Sequence, residues 1–386
     1  MISLYVHIPF CAARCAYCDF NTYAGQEDRI PAYVQALCFE IEQVSGAAPE
    51  RLAVPSFFFG GGTPSLLSSG QFERILRTFH DRFGLRDAEG TIEANPGTVS
   101  LGFLRDLHRM GVNRLSLGVQ SADPQELKQL GRIHDYPDVI RSVEAARRAG
   151  FENLNLDLIY ALPGQGLARW LATLRAVLAL EPEHLSLYAL TIEPATPFGR
   201  WAARGLLPTP DPDLAADMLE AASERLAAAG YQRYEISNWA RPGRECLHNL
   251  STWRNEPYLG FGAGAHGCAQ HQRMANVRRI PAYLERCRRG AAPAFPNSPA
   301  QTFRHRLTER EEMQETMMLS LRLTHEGVSY ERFRARFGLE MTSVFAGEID
   351  ELLHLGLLEQ AEAGTRLRLT ARGAQVGNQA FLRFVD

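Results

Sequence analysis

The sequence predicts an α/β fold: a partial (β/α)6 barrel of TIM-like type, followed by a smaller winged-helix-like α+β module. Three observations predict it. From Leu4 to about Tyr188, short β-branched and aromatic runs alternate with amphipathic stretches of helical period. Such alternation imposes parallel pairing through right-handed crossovers. The polar residues of chemical interest fall at or just after the ends of five separate strands: Cys11 to Cys18, Gly60 to Thr63, Glu93 to Pro96, Gln120, and Asp157. A barrel gathers its chemistry at that face, whereas a doubly wound sheet concentrates it at one switch point.

The expected strands cover 4–8, 56–59, 91–94, 114–118, 153–158 and 184–188, and the helices between them 30–45, 69–83, 100–110, 137–149 and 165–179. Phe72, Ile75, Leu76 and Phe79 recur at helical spacing, as do Leu171, Leu174, Val177 and Leu178. Gly111, Gly150 and Gly230 stand where helices end. A proline-rich break over 206–213 leads into a helix over 214–229. Residues 234–239 and 246–266 are rich in glycine and aromatics and show no clear period. A helix over 281–289 precedes a linker over 290–299. The tail reads as helices over 308–323, 329–337 and 342–355, then strands over 357–360 and 366–370 turning at 362–365. The predicted domains are 1–240 for the barrel, 241–300 for an intervening section and linker, and 301–386 for the tail module.

At 386 residues the chain has ample core, and a formal net charge of −3 offers no electrostatic reason to expect nucleic acid. No apolar run approaches the ~20 residues a membrane span needs. No cationic leader precedes the first strand, so no signal peptide is expected. Seven cysteines are an odd set with three crowded at one end, which disfavours a disulfide scaffold and points to a reducing cytoplasm.

Those three are Cys11, Cys15 and Cys18. Three thiolates leave a structural zinc site one ligand short, while an iron–sulfur cluster held by three keeps one iron free for an outside ligand. Tyr17, between the second and third, is placed to shield such a cluster. In Gly60-Gly61-Gly62-Thr63-Pro64 the glycines allow close approach, and successive N–H groups can bind a carboxylate. Glu93 and Asp157 can accept from ammonium and ribose hydroxyl groups, and Arg132 can pair a carboxylate bidentately. With Gln120 they outline a cavity for a nucleoside joined to an amino acid.

These motifs carry a family resemblance. C-x-x-x-C-x-x-C after the first strand and G-G-G-T-P after the second resemble the radical S-adenosylmethionine superfamily. Y-x-H-I-P-F-C, C-x-Y-C-D-F, F-G-G-G-T-P-S, E-x-N-P, N-R-L-S-L-G-V-Q-S and L-x-R-x-H resemble the branch of oxygen-independent coproporphyrinogen III oxidase (HemN) and its relative HemW. The resemblance runs over essentially the whole chain. It implies that Cys11, Cys15 and Cys18 hold a 4Fe-4S cluster whose open iron chelates S-adenosylmethionine. It implies too that Tyr5, Tyr17, Gly61, Gly62, Thr63, Glu93, Gln120, Arg132 and Asp157 line that cofactor's pocket.

Two departures sort the relatives. Where the oxidase carries a further cysteine two positions after the third, this chain has Phe20, and only Met1 to Ser3 precede the cluster strand. Both point to the HemW side, whose members resemble haem-binding chaperones. His248-Asn249-Leu250-Ser251-Thr252-Trp253 resembles that side's haem motif, with Thr252 in place of tyrosine. The resemblance implies haem binding through His248, Asn249 and Trp253, since an imidazole beside an aromatic ring can ligate iron and pack on the macrocycle. It implies delivery of haem to haem-requiring proteins, membrane respiratory enzymes among them. The oxidase activity itself is not expected. The alternative is that oxidase/dehydrogenase or another radical enzyme acting on tetrapyrroles. A nucleic-acid-binding regulator ranks far below: Glu309, Glu311, Glu312, Glu315, Glu348, Asp350 and Glu351 leave the tail's helices without a basic stripe.

Overall fold

The computed structural model describes residues 1–290 and 294–385. Residues 291–293, inside the expected linker 290–299, lie outside the described residues. Six strands, β1 (Ser3–Ile8), β2 (Ser56–Gly61), β3 (Glu89–Ala94), β4 (Arg114–Gln120), β5 (Leu154–Tyr160) and β6 (His184–Ala189), lie side by side in chain order, all parallel. Every residue of β4 is buried, as a strand covered on both faces must be. The covering helices are α1 (Ile30–Gly46), α2 (Ser69–Arg82), α3 (Leu101–Arg109), α4 (Tyr136–Ala149) and α5 (Leu167–Leu178). Ser68 with Gln71, and Asp135 with Asp138, form capping boxes at the starts of α2 and α4. Gly111, Gly150 and Gly230 take φ of +96°, +104° and +85°, ending their helices as their positions predict. Phe57, Phe59, Phe72, Phe79 and Phe83 interlock edge to face between the sheet and α2.

The sheet runs on past those six strands. After α6 (Pro212–Ala228), β7 (Gln232–Glu235) and β8 (Asn238–Ala240) add antiparallel strands beyond β6. The section without sequence period contains α7 (Leu247–Trp253) and β9 (Tyr258–Phe261), and β9 pairs in parallel with β1 on the opposite edge. β10 (His266–Ala269), β11 (Gln272–Asn276) and β12 (Gln301–Arg306) continue outward, completing a twelve-stranded sheet. Close backbone crossing hides the alternation here: a Cβ on Gly260 would lie 1.9 Å from the His266 carbonyl oxygen. Glu40 of α1, fully buried, pins this section by accepting from Gly262 N (2.8 Å), Asn276 Nδ2 (2.6 Å), Tyr283 Oη (2.6 Å) and Ser298 Oγ. A buried carboxylate needs such a full set of donors.

The tail forms its own core around Met317, Leu321, Phe333, Phe345, Leu352 and Leu367. It contains α8 (Glu309–Ser320), β13 (Val328–Ser329), α9 (Tyr330–Phe337), α10 (Ala346–His354), β14 (Leu358–Ala361) and β15 (Arg366–Leu369), the strands in the order β13–β15–β14. The helix expected over 342–355 is broken at Phe345 (φ −125°), whose ring is needed in the core between Phe333 and Phe384. Arg254, just after α7, forks onto Glu326 of the tail at 3.0 and 2.6 Å. No helix among the described residues is long and apolar enough to cross a membrane.

Candidate functional site

From β1 the chain passes through a short pairing of Phe10–Cys11 with Tyr23–Ala24 and throws out the cysteine loop. Cys11 is buried, Cys15 and Cys18 are half-buried, and all three are free thiols. The loop is tied down by Ala16, which donates to the Leu130 carbonyl (3.1 Å) and accepts from Phe198 N (3.0 Å). Among the described residues no three His, Cys, Asp or Glu groups converge as a single metal ion requires. A four-iron cluster, whose three thiolates bind different irons, makes no such demand.

The glycine turn lies beside this loop. Gly62 N donates to the Ile8 carbonyl (2.9 Å), Thr63 N to that of Phe10 (2.8 Å), and Gly61 N to Glu93 Oε2 (3.1 Å). Those N–H groups are therefore spent within the fold, so the expectation that they are free to bind a carboxylate does not hold. The glycines supply clearance instead. A Cβ on Gly62 would lie 2.5 Å from Phe10 O and 3.1 Å from Cys11 Sγ, and one on Gly61, at φ +112°, 2.6 Å from the His7 ring.

One hydrogen-bonded chain links the turn to the second cysteine. Asn95 Nδ2 donates to Thr63 Oγ1 (2.8 Å), and Thr63 Oγ1 to Cys11 Sγ (3.7 Å). Arg132 donates to Asn95 Oδ1, to the Gly118 carbonyl (2.7 Å) and to Cys15 Sγ (3.5 Å), while its buried Nε has no partner. Gln120 is beside it, at φ +68°, where the β4–β5 register shifts. The orphaned donor of Arg132, the three free thiols and the clearance at Gly62 fit a thiolate-bound cluster with an anionic group next to it. Tyr17 packs on Phe198, centroids 6.5 Å apart.

Glu93 and Asp157 face the barrel interior. Asp157 accepts from Ser116 Oγ (3.0 Å) and Asn155 Nδ2 (2.8 Å), and burial raises its pKa. Burial, then the Asp157 charge, pushes Glu93 up to about 7. Tyr5 also belongs to the interior, its hydroxyl 3.0 Å from His7 Nδ1.

The barrel's other end is closed by α7. Glu89, at the start of β3, accepts from Leu247 N (2.9 Å), His248 N (3.4 Å) and Cys246 Sγ (3.5 Å), a carboxylate against a helix N-terminus. His248 Nδ1 lies 3.2 Å from Ser56 Oγ, and its ring stacks on Phe58 at 5.2 Å. Burial, then Arg114, pulls its pKa down to about 4, so the imidazole is neutral at physiological pH. His248 lines a cavity of about 830 Å³ that also meets Tyr5, Tyr258, His266 and, on the cysteine loop, Asp19 and Phe20. Thr252 lines it too, whereas Asn249 and Trp253 do not. Asn249 reaches the Tyr234 hydroxyl (3.4 Å), and Trp253 lies under Arg322 of the tail, 4.3 Å from ring centre to guanidinium carbon. Burial pushes the Cys246 thiol up to about 12, leaving it neutral.

Apart from Tyr17, Asn249 and Trp253, the predicted residues fall into three groups. Cys11, Cys15, Cys18, Gly62, Thr63 and Arg132 meet at the strand ends, with Gln120 adjoining. Gly61, Glu93 and Asp157 form a middle layer. Tyr5 and His248 share the deep cavity. Asn95 is the connector that sequence reading passes over, although it stands in the E-x-N-P motif; Tyr258 carries no local signal at all.

Residues 5–177 match the family model of the radical SAM superfamily, and residues 307–376 that of the HemN C-terminal domain. The fold is that of a radical SAM protein with a HemN-type tail. The chain is 38% identical, over 390 aligned residues, to the heme chaperone HemW of Bacillus subtilis, with 100% of this chain and 99% of that one covered. It is 46% identical over 269 residues to the heme chaperone HemW of Escherichia coli, covering 69% and 70%. The coproporphyrinogen III oxidase HemN of Escherichia coli, a radical SAM enzyme, superposes with a TM-score of 0.83 at 26% identity, covering 99% of this chain and 89% of that one. The chain belongs to the heme chaperone HemW family.

Proposed function

We propose that the protein is a haem chaperone: it binds haem in the cavity at His248 and passes it to haem-requiring proteins. One observation carries this reading. A neutral imidazole, its Nδ1 engaged by Ser56, lines an 830 Å³ cavity that reaches the cysteine loop. That volume suits a ligand of cofactor size, and a neutral imidazole held through its other nitrogen is a good iron ligand. Asn249 and Trp253 support the site indirectly, by holding α7 against Tyr234 and the tail.

Cys11, Cys15 and Cys18 would hold a 4Fe-4S cluster that binds S-adenosylmethionine, the source of reductive radical chemistry in this superfamily. Arg132, with an unused Nε, orients an anionic group beside Cys15, and Gln120 adjoins it. Glu93 and Asp157 offer acceptors to ammonium and hydroxyl groups. Tyr17 and Phe198 cover the loop and exclude water. The predicted sections share the work: 1–240 holds the cluster, residues of 1–240, of 241–300 and of β12 line the haem cavity, and the rest of 301–386 serves docking. Free thiols that must stay reduced suit the cytoplasm. The family resemblance extends the acceptors to membrane respiratory enzymes.

Transfer is the test. Protein loaded with one equivalent of haem is mixed anaerobically with an apo haem protein, with and without S-adenosylmethionine and reductant. Movement of the Soret band to the acceptor supports the proposal; retention under every condition overturns it. The second reading, a radical enzyme acting on tetrapyrroles, is favoured by the HemN superposition. Vinyl product from coproporphyrinogen III with stoichiometric 5′-deoxyadenosine would establish it.

A further inference from the structure

The cavity at His248 carries a second feature. Two large aromatic side chains in its lining are exposed: Phe20 of the cysteine loop at 65% and Phe303 of β12 at 53%. Exposed rings that line one cavity are an unfavourable surface unless something flat and apolar covers them. Beside them is Arg278, the one Arg or Lys in the lining. Its carbonyl accepts from Asn21 Nδ2 (3.1 Å) and Tyr23 Oη (3.2 Å), which fixes the backbone, while its guanidinium has no ion pair or hydrogen bond among the described residues. Asp19, the one carboxylate among the described residues of the lining, does not pair with it.

We propose that Phe20, Phe303 and Arg278 form an outer subsite for a flat, apolar macrocycle that bears carboxylates. The two rings cover its face, and Arg278 takes a carboxylate through its planar fork. The proposal rests on the haem-chaperone reading and deepens it. The ligand enters with one face toward His248 and its carboxylates held at the mouth, accessible for hand-over. It also assigns a role to Phe20, the residue two positions after Cys18.

The test compares haem with haem dimethyl ester, whose carboxylates are blocked, by Soret titration of the full, cluster-reconstituted chain. Iron content and circular dichroism verify that each variant is folded and loaded. Arg278→Ala is expected to weaken haem about tenfold and leave the ester unchanged, the loss of one charge-assisted contact. The double variant F20A/F303A is expected to weaken both ligands by a similar factor. Haem and ester binding equally well to the original protein, with a His248-dependent band, would overturn the outer subsite alone. Absence of any complex with either ligand would overturn the chaperone reading along with it.

Discussion

The imidazole of His248 and the ring of Phe58 lie stacked, with centroids 5.2 Å apart and planes 29° from parallel. Phe58 is in mid-β2 and His248 on a seven-residue helix that follows almost two hundred residues later, so the stack joins the start of the barrel to its closing section. It sets the plane of the imidazole, and Ser56 sets its rotation.

Ser56→Ala tests that second restraint. With Nδ1 released the ring can turn, and haem affinity is expected to fall about tenfold, the lower end for loss of a supporting hydrogen bond to a metal ligand. The Soret maximum shifts with it, and Ser56→Thr retains the original band. A titration of the two variants side by side checks this.

Gly62→Ala strikes the cysteine loop. Its Cβ would lie 2.5 Å from Phe10 O and 2.9 Å from Ile8 O, neither of which is a flexible side-chain end. A cost of roughly 2–4 kcal/mol is expected, with iron incorporation after reconstitution well below that of the original chain. Gly70→Ala, in α2 with nothing within 4 Å, is the control and should stabilise by about 0.5–1 kcal/mol. Thermal melting and iron assay separate the two.

Glu93 makes stability depend on pH. Its folded pKa of about 7 lies above the ordinary 4.5, so between those values the folded protein holds a proton that the unfolded chain releases. Stability is therefore greatest below 4.5 and is lost as pH rises through 7, by up to roughly 3 kcal/mol. Glu93→Gln is expected to melt higher than the original at pH 8, with the gap closing by pH 5, and to bind S-adenosylmethionine more weakly. Melting curves across pH 5 to 8 read the first effect, equilibrium dialysis the second.

Arg132→Lys keeps the charge but cannot bridge Asn95, Gly118 and Cys15 at once. S-adenosylmethionine affinity is expected to fall at least tenfold with iron content close to normal. Equal affinity would remove Arg132 from the pocket.

The barrel strands were legible because each is buried on both faces and reads as a dense apolar run between amphipathic helices. The cysteine loop and the GGGTP turn were legible because their spacing is local. The section after residue 246 was not. β9 earns its place by pairing with β1, at the far end of the chain, and Gly260 removes a side chain that would have shown alternation. The depth of His248 follows from that long-range pairing and from the Glu89 carboxylate holding α7, neither of which leaves a periodic mark. The motif was visible, but the separation of His248 from Asn249 and Trp253 was not. On one turn-and-a-half of helix they point to three different neighbours.

The central claim is that His248 is the haem ligand, and an anaerobic haem titration of the original chain and His248→Ala tests it most directly. A saturable one-to-one Soret complex that weakens at least tenfold in His248→Ala, with the cluster's absorbance unchanged, is the predicted result. Identical Soret bands and affinities in the two proteins would contradict it.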